Sequence, residues 1–133
     1  MSGLLHVRLE AVATSVPLAR AAITQVCAQL GLDADVTERV RLAVTEACTN
    51  VVRHAYHDAQ KGALYSLAAD EDRGDLLVVV RDSGVGIPTS AADATQSSSL
   101  GLGVKLIAQL TSRSEIAALP DRGTRVAMRF SMT

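Results

Sequence analysis

Glu46, Asn50 and His54 fall four residues apart in the segment EACTNVVRHAY. An α-helix turns about 100° per residue, so a step of four drifts by only about 40° and the three side chains form one oblique row. A carboxylate in such a row can take a proton as a general base, and an amide oxygen is a hard, neutral ligand suited to Mg2+. Asn is a mediocre helix former because its amide competes with the backbone, so its place inside a helix asks for a reason. The row reads either as one wall of a cleft or as polar side chains hydrogen-bonded to a neighbouring loop.

Two glycine-bearing motifs supply further candidates. In VVVRDSGVGIP a hydrophobic strand ends at Asp82, followed by Gly84 and Gly86. A carboxylate accepts hydrogen bonds strongly and can hold an exocyclic amine such as that of adenine. The glycines let a flat ring approach the backbone. The alternative is a glycine-rich turn in which Asp82 bonds locally. SSSLGLGVKLIAQL places Gly101, Leu102 and Gly103 where a helix opens, the two glycines just ahead of it. Unobstructed amides there suit phosphate oxygens, and an ordinary helix start after a flexible loop is the plainer reading. RGTRVAMRF sets Gly123 and Thr124 at the start of a strand, where the hydroxyl can donate to a base or a water. A dinucleotide-binding fingerprint is excluded: Pro88 follows Gly86 almost at once, no helix opens there, and no third glycine is correctly placed. No GxxxxGK[ST] occurs either.

The elements that must position these groups follow from patterning. Leu5, Val7 and Leu9 alternate with polar neighbours, a half-buried strand. Pro17 suits the first turn of a helix to about Leu30, where Gly31 supplies a stop. A second helix, capped by Asp33 or Asp35, carries Val40, Val44, Ala47 and Val51 as its core stripe, and the polar row lies beside that stripe. Strands are expected over 62–69 and 75–81, joined by a turn-rich DEDRGD link, with the continuous LLVVV run central and covered on both faces. Residues 89–100 are small and polar and read as a loop; a third long helix and a terminal hairpin over 114–119 and 123–132 follow. The order β-α-α-β-β-loop-α-β-β gives an α/β two-layer sandwich, helices on one face of a mixed, mostly antiparallel sheet.

Composition narrows the function. The chain has 133 residues, one domain (1–133) by length, and 48% hydrophobic content suffices for a core without disulfides or metal. Aromatics make up 2% and the net charge is −1, so there is neither a base-stacking platform nor a basic stripe, and no nucleic-acid partner is expected. Cys27 and Cys48 read as buried thiols with no zinc spacing to the histidines. No apolar run approaches the ~20 residues of a membrane span and the first residues do not resemble a signal peptide, so no membrane partner and a cytoplasmic location are expected.

Taken in order, ExxxNxxxHxY on a helix, DxGxGI after a strand, a polar loop, GLG at a helix and GT at a strand resemble the GHKL (Bergerat) ATP-binding fold. The short length and the form EAxTNxxxHxY are most similar to the anti-sigma-factor serine kinases, over about residues 36–130. The resemblance implies ATP and Mg2+ as ligands, Glu46 as the base for an incoming serine hydroxyl or water, and Asn50 as metal ligand with His54 beside it. It implies Asp82 at the adenine amine, Gly84 and Gly86 near the ring, Thr124 assisting through a water, and Gly101, Leu102 and Gly103 at the phosphates, with 89–100 as a lid. It further implies a homodimer whose partners are a sigma factor, a small anti-anti-sigma protein, or both. One departure stands out: residues 89–100 contain no Lys or Arg, which leaves positive charge to Lys105, Arg53 or a partner residue, or else neutralisation to Mg2+ and backbone amides. That departure motivates the alternative of a non-catalytic, nucleotide-sensing regulatory module of the same fold.

Overall fold

The computed structural model describes residues 3–55, 63–83, 98–120 and 123–132. Along the chain these form β1 (Gly3–Glu10), α1 (Ser15–Gln29), α2 (Ala34–Asn50), β2 (Leu64–Asp72), β3 (Asp75–Asp82), α3 (Ser98–Leu110), β4 (Arg113–Ala118) and β5 (Thr124–Ser131). The five strands make one sheet in the order β1-β2-β3-β5-β4, with every neighbouring pair antiparallel. The parallel component allowed for by a mixed sheet is absent among the described residues.

Local chemistry accounts for most boundaries. α1 stops at Gly31, whose φ of +69° is a left-handed conformation that glycine adopts without strain. Asp33 caps α2 by accepting a 2.8 Å hydrogen bond from the Val36 amide, a contact worth about 1 kcal/mol. The link between β2 and β3 is shorter than its composition suggests. The strands extend to Asp72 and resume at Asp75, and Arg73 and Gly74 turn the chain with φ of 56° and 82°, the two left-handed residues of a tight hairpin that matches strand twist. Arg129 on β5 pairs with Asp72 and lies 3.6 Å from Asp75, pinning the base of that turn.

The core lies between the helices and one face of the sheet. Val40, Val44, Ala47 and Val51 are at most 1% exposed, and they meet Leu67 and Ala69 of β2, Leu76, Val78 and Val80 of β3 and Val126, Met128 and Phe130 of β5. α2 packs between α1 and α3 and over β3 and β5. The LLVVV run is central, but the described residues cover it on one face only. Leu76, Val78 and Val80 are buried, while Leu77 and Val79 are half-buried on the outer face. Sequence pattern could not separate the cases, because a central strand shields even its outward side chains with neighbouring strands.

Candidate functional site

The sheet contributes one end of the site. Asp82 is the last residue of β3 and continues the helix-facing row of Leu76, Val78 and Val80. It stands directly across from Thr124 on β5 and from Tyr65 on β2. All three are buried, at 4%, 0% and 2% exposure. Cross-strand neighbours have Cβ atoms about 5 Å apart, so the carboxylate, hydroxyl and phenol share one line across the sheet. Gly123 makes this line possible. Its φ is +104°, and a Cβ there would fall 2.0 Å from the Asp82 carbonyl oxygen. Only a hydrogen fits between the β5 entry and the end of β3, and that contact delivers Thr124 beside Asp82.

Helix α2 contributes the other end. Glu46 is half-buried and Asn50 is buried on the same row, one turn apart. The α-helix ends at Asn50 and a π-helical turn follows over Val51–Ala55. A π turn closes i→i+5, so past Asn50 the backbone leaves the regular α-helical repeat of about 100° per residue. Cys48 lies buried on α2 between the two candidate site residues. The Tyr65 hydroxyl on β2 sits 2.7 Å from Ser15 Oγ on α1. Burial pushes the Cys48 thiol up to about 12, an effect that the Tyr65 hydroxyl offsets only in part. Burial also raises the Tyr65 phenol, with Cys48 adding to the effect. Both groups stay protonated at neutral pH and act as neutral hydrogen-bonding groups, not as acids or nucleophiles.

Helix α3 closes over α2. It begins at Ser98, three residues before Gly101, so the GLG segment lies inside the helix, not ahead of it. In an α-helix the amide of the fourth residue onward is already bonded to a carbonyl one turn back, so the Gly101 and Gly103 amides lie past the free end of the helix. The polar serine tract hid this start, since serine is a poor helix former that nonetheless suits a first turn. Gly103 is buried against the polar row of α2. A Cβ there would meet Glu46 Oε2 at 2.7 Å and both amide atoms of Asn50 at 3.1 Å. The glycine thus lets α3 seat its backbone on Glu46 and Asn50, the two candidate site residues of α2.

The described residues bring together Glu46, Asn50 and Gly103 on the helical side and Asp82 and Thr124 on the sheet side. Gly84, Gly86 and 89–97 lie outside the described residues, as do the side chains of His54 and Leu102. Lys105 and Arg53 are exposed. Tyr65 was not singled out from sequence, and no local signal marks it: its place beside Asp82 follows from the β2–β3 register alone. A concavity of about 510 Å3 opens among His6, Arg8, Ser66 and Arg81 near the Asp82 end and is lined by neither Glu46 nor Asn50.

The donor set fits Mg2+ held together with phosphate. No group of three His, Cys, Asp or Glu among the described residues could hold a metal alone. Asn50 offers one amide oxygen, Glu46 stands beside it, and Mg2+ is typically held by one or two protein oxygens completed by phosphates and water.

Comparison with known proteins agrees with this architecture. The histidine kinase-like ATPase domain family matches residues 9–130. The serine-protein kinase RsbW of Bacillus velezensis is 34% identical over 125 residues, 85% of this chain and 76% of that protein. An anti-sigma F factor of Oceanobacillus iheyensis is 28% identical over 120 residues, 83% and 80% of the two chains. The crystal structure of the RsbU and RsbW domains of a Mycobacterium tuberculosis protein superposes with a TM-score of 0.71 at 22% identity, covering 99% of this chain and 33% of that one; at that identity it speaks for the fold. A family match across nearly the whole chain, over a site of this composition, shows that the chain belongs to the histidine kinase-like ATPase domain family.

Proposed function

We propose that this chain, acting as one domain, is a Mg2+-ATP-dependent protein serine/threonine kinase and anti-sigma factor whose substrate is a small anti-anti-sigma protein. The reading is supported by relatives named serine-protein kinase and anti-sigma F factor. The observation that carries it is the packing of Gly103 against Glu46 and Asn50. It seats the interior of α3 on a carboxylate base and a metal-ligating amide of α2, while Asp82 and Thr124 stand opposite each other on the sheet. A non-catalytic module would need no carboxylate in that position.

The substrate serine hydroxyl would attack the terminal phosphorus of ATP. Its oxygen forms the new P–O bond, the bond to ADP breaks, and Glu46 receives the hydroxyl proton. Asn50 would hold Mg2+ jointly with phosphate oxygens; the ion supplies neutralisation of the phosphate charge. Asp82 would accept from the adenine amine, with Thr124 beside it. Lys105, on the exposed side of α3 just beyond Gly103, would supply the cation that residues 89–100 lack.

A homodimer belongs to the same proposal. The outer face of the sheet carries Ala68, Leu77, Val79 and Ala127, all half-exposed, and no described helix covers it. That face is the one we assign to the second copy; Val79→Glu should convert a dimer to a monomer in sedimentation velocity. The kinase is tested by phosphate transfer from labelled ATP to a co-encoded serine-bearing antagonist. Glu46→Gln should slow transfer by about 100-fold or more and preserve MgATP binding. Equal transfer by the variant would remove Glu46 from the mechanism. Tight binding with no transfer by the wild type would favour the sensing module.

A further inference from the structure

The outer face of the sheet has two unlike ends. Arg8 on β1, Ser66 on β2, Arg81 on β3 and Arg125 on β5 are successive cross-strand partners, so they form one row across the face turned away from the helices. Arg8 and Arg81 are exposed and Arg125 is half-buried. Arg81 stands directly across from Arg125, and like charges so placed destabilise a sheet. Among the described residues none of these three arginines has an ion-pair partner. The next positions along the face are apolar: Ala68, Val79 and Ala127 in one row, then Leu77 on β3. At the opposite end, Asp70 and Asp72 of β2 and Asp75 of β3 lie on the same face, all half-buried. Arg129 answers Asp72 and Asp75 there, and Arg113 lies farther off on the edge strand β4. The β2–β3 corner thus keeps an excess of carboxylate, about 20 Å along the strands from the arginine row.

We infer that a second copy of this chain docks on this face with its strands antiparallel to those of the first, so that Arg8 and Arg81 of each copy lie over the Asp70, Asp72 and Asp75 corner of the other. The inference rests on the homodimer proposed above and specifies its geometry. Two arrangements place the sheets face to face with closed twofold symmetry. With the axis along the strands, the arginine row of one copy stacks on the arginine row of the other, and like-charge juxtaposition disfavours that pairing. With the axis across the strands, between Leu77 and Val79, each strand crosses its own counterpart in reverse. Val79 then covers Leu77, Ser66 covers Asp72 and Arg81 covers Asp75. Packed sheets lie about 10 Å apart, a gap that an arginine and an aspartate close together. The apolar middle is buried, and the Arg81–Arg125 repulsion is offset by carboxylates that one copy alone does not bring near.

The experiment is sedimentation velocity over a dilution series of the full chain, with two charge-reversed variants: Arg8→Glu/Arg81→Glu, and Asp70→Lys/Asp75→Lys, which leaves the Asp72–Arg129 pair in place. Each contact occurs twice in a symmetric dimer, so each variant alone should raise the dimer Kd about tenfold or more. An equimolar mixture of the two should return to within about threefold of wild type, because the reversed groups of one meet the reversed groups of the other and the remaining contact is native. Variants that dimerise like wild type would leave the arginine row to some other, acidic partner and overturn the inference. A mixture no tighter than either variant alone overturns the antiparallel arrangement. In both cases a dimeric wild type leaves the homodimer proposal standing, whereas a wild type that is monomeric throughout removes that proposal and the inference with it. Should a double variant fail to fold, Arg81→Glu and Asp75→Lys decide by the same mixing.

Discussion

Replacing Gly103 by alanine tests the assembly of the site with a single methyl group. The new Cβ would stand 2.7 Å from Glu46 Oε2, about 0.7 Å inside ordinary contact, and 3.1 Å from both amide atoms of Asn50. The carboxylate is the far end of a flexible, half-buried side chain and can swing aside; the Asn50 amide is buried at 4% exposure and cannot. Stability should change little. Alanine gains about 1 kcal/mol over glycine inside a helix, and overpacking costs about 1–3 kcal/mol. The net is a loss of about 0–2 kcal/mol, or a Tm lowered by at most about 8 °C. Activity should fall far more, since a misplacement approaching 1 Å costs on the order of 100-fold. The assay is single-turnover phosphate transfer beside thermal unfolding, with Gly3→Ala as control because nothing lies within 4 Å of that position. A cycle with Glu46→Gln sharpens the test: if Gly103 acts by seating the carboxylate, the double variant should be no slower than Glu46→Gln alone. Transfer by Gly103→Ala within threefold of wild type, or fully additive losses in the cycle, would refute the reasoning.

Three further outcomes are expected. Gly123→Ala places a Cβ 2.0 Å from the Asp82 carbonyl oxygen at a φ of +104°; it should cost about 2–4 kcal/mol in urea unfolding and weaken adenosine binding in whatever folded fraction remains. Alkaline stability should follow Cys48, whose thiol is raised from an ordinary 9.0 to about 12. Above pH 9 the unfolded chain releases this proton and the folded chain keeps it, so stability is full below 9 and falls between 9 and about 12, by about 1.4 kcal/mol per pH unit per group; Cys48→Ala should flatten that limb in pH-dependent denaturant titrations. Asp33→Ala removes the cap on the Val36 amide and should cost about 1 kcal/mol in the same assay with no change in MgATP affinity.

Much of this architecture was legible because it is local. The alternation of Leu5, Val7 and Leu9 follows from the two-residue repeat of a strand, and the Val40–Val51 stripe from the helical repeat; Asp33 and Gly31 act through bonds and dihedrals within a few residues of themselves. What was not legible depends on partners distant in the chain. Thr124 meets Asp82 only because β5 inserts beside β3, and Tyr65 only because of the β2–β3 register. The misplaced start of α3 and the overestimated burial of LLVVV share a cause. Both turned on what packs against a segment, Glu46 and Asn50 in one case and no described helix in the other, and neither leaves a mark in composition.

Among the described residues, the two buried close approaches at glycine fall at the two ends of the candidate site. At Gly103 a backbone rests on the carboxylate and amide of α2; at Gly123 a backbone rests on the last carbonyl of β3. In each place a side chain would occupy the position from which a neighbouring functional group is held. A glycine inside a helix costs about 1 kcal/mol, and Gly103 carries that cost at the point of contact with Glu46. The distribution is what a site assembled from separate elements requires. In the proposed site α2 would supply the base and the metal-ligating amide and the sheet the adenine pair, and neither could approach its neighbour unless the intervening backbone were bare. Asn50 is the last residue of α2 before the π turn, and Gly103 covers the one helical turn that joins it to Glu46.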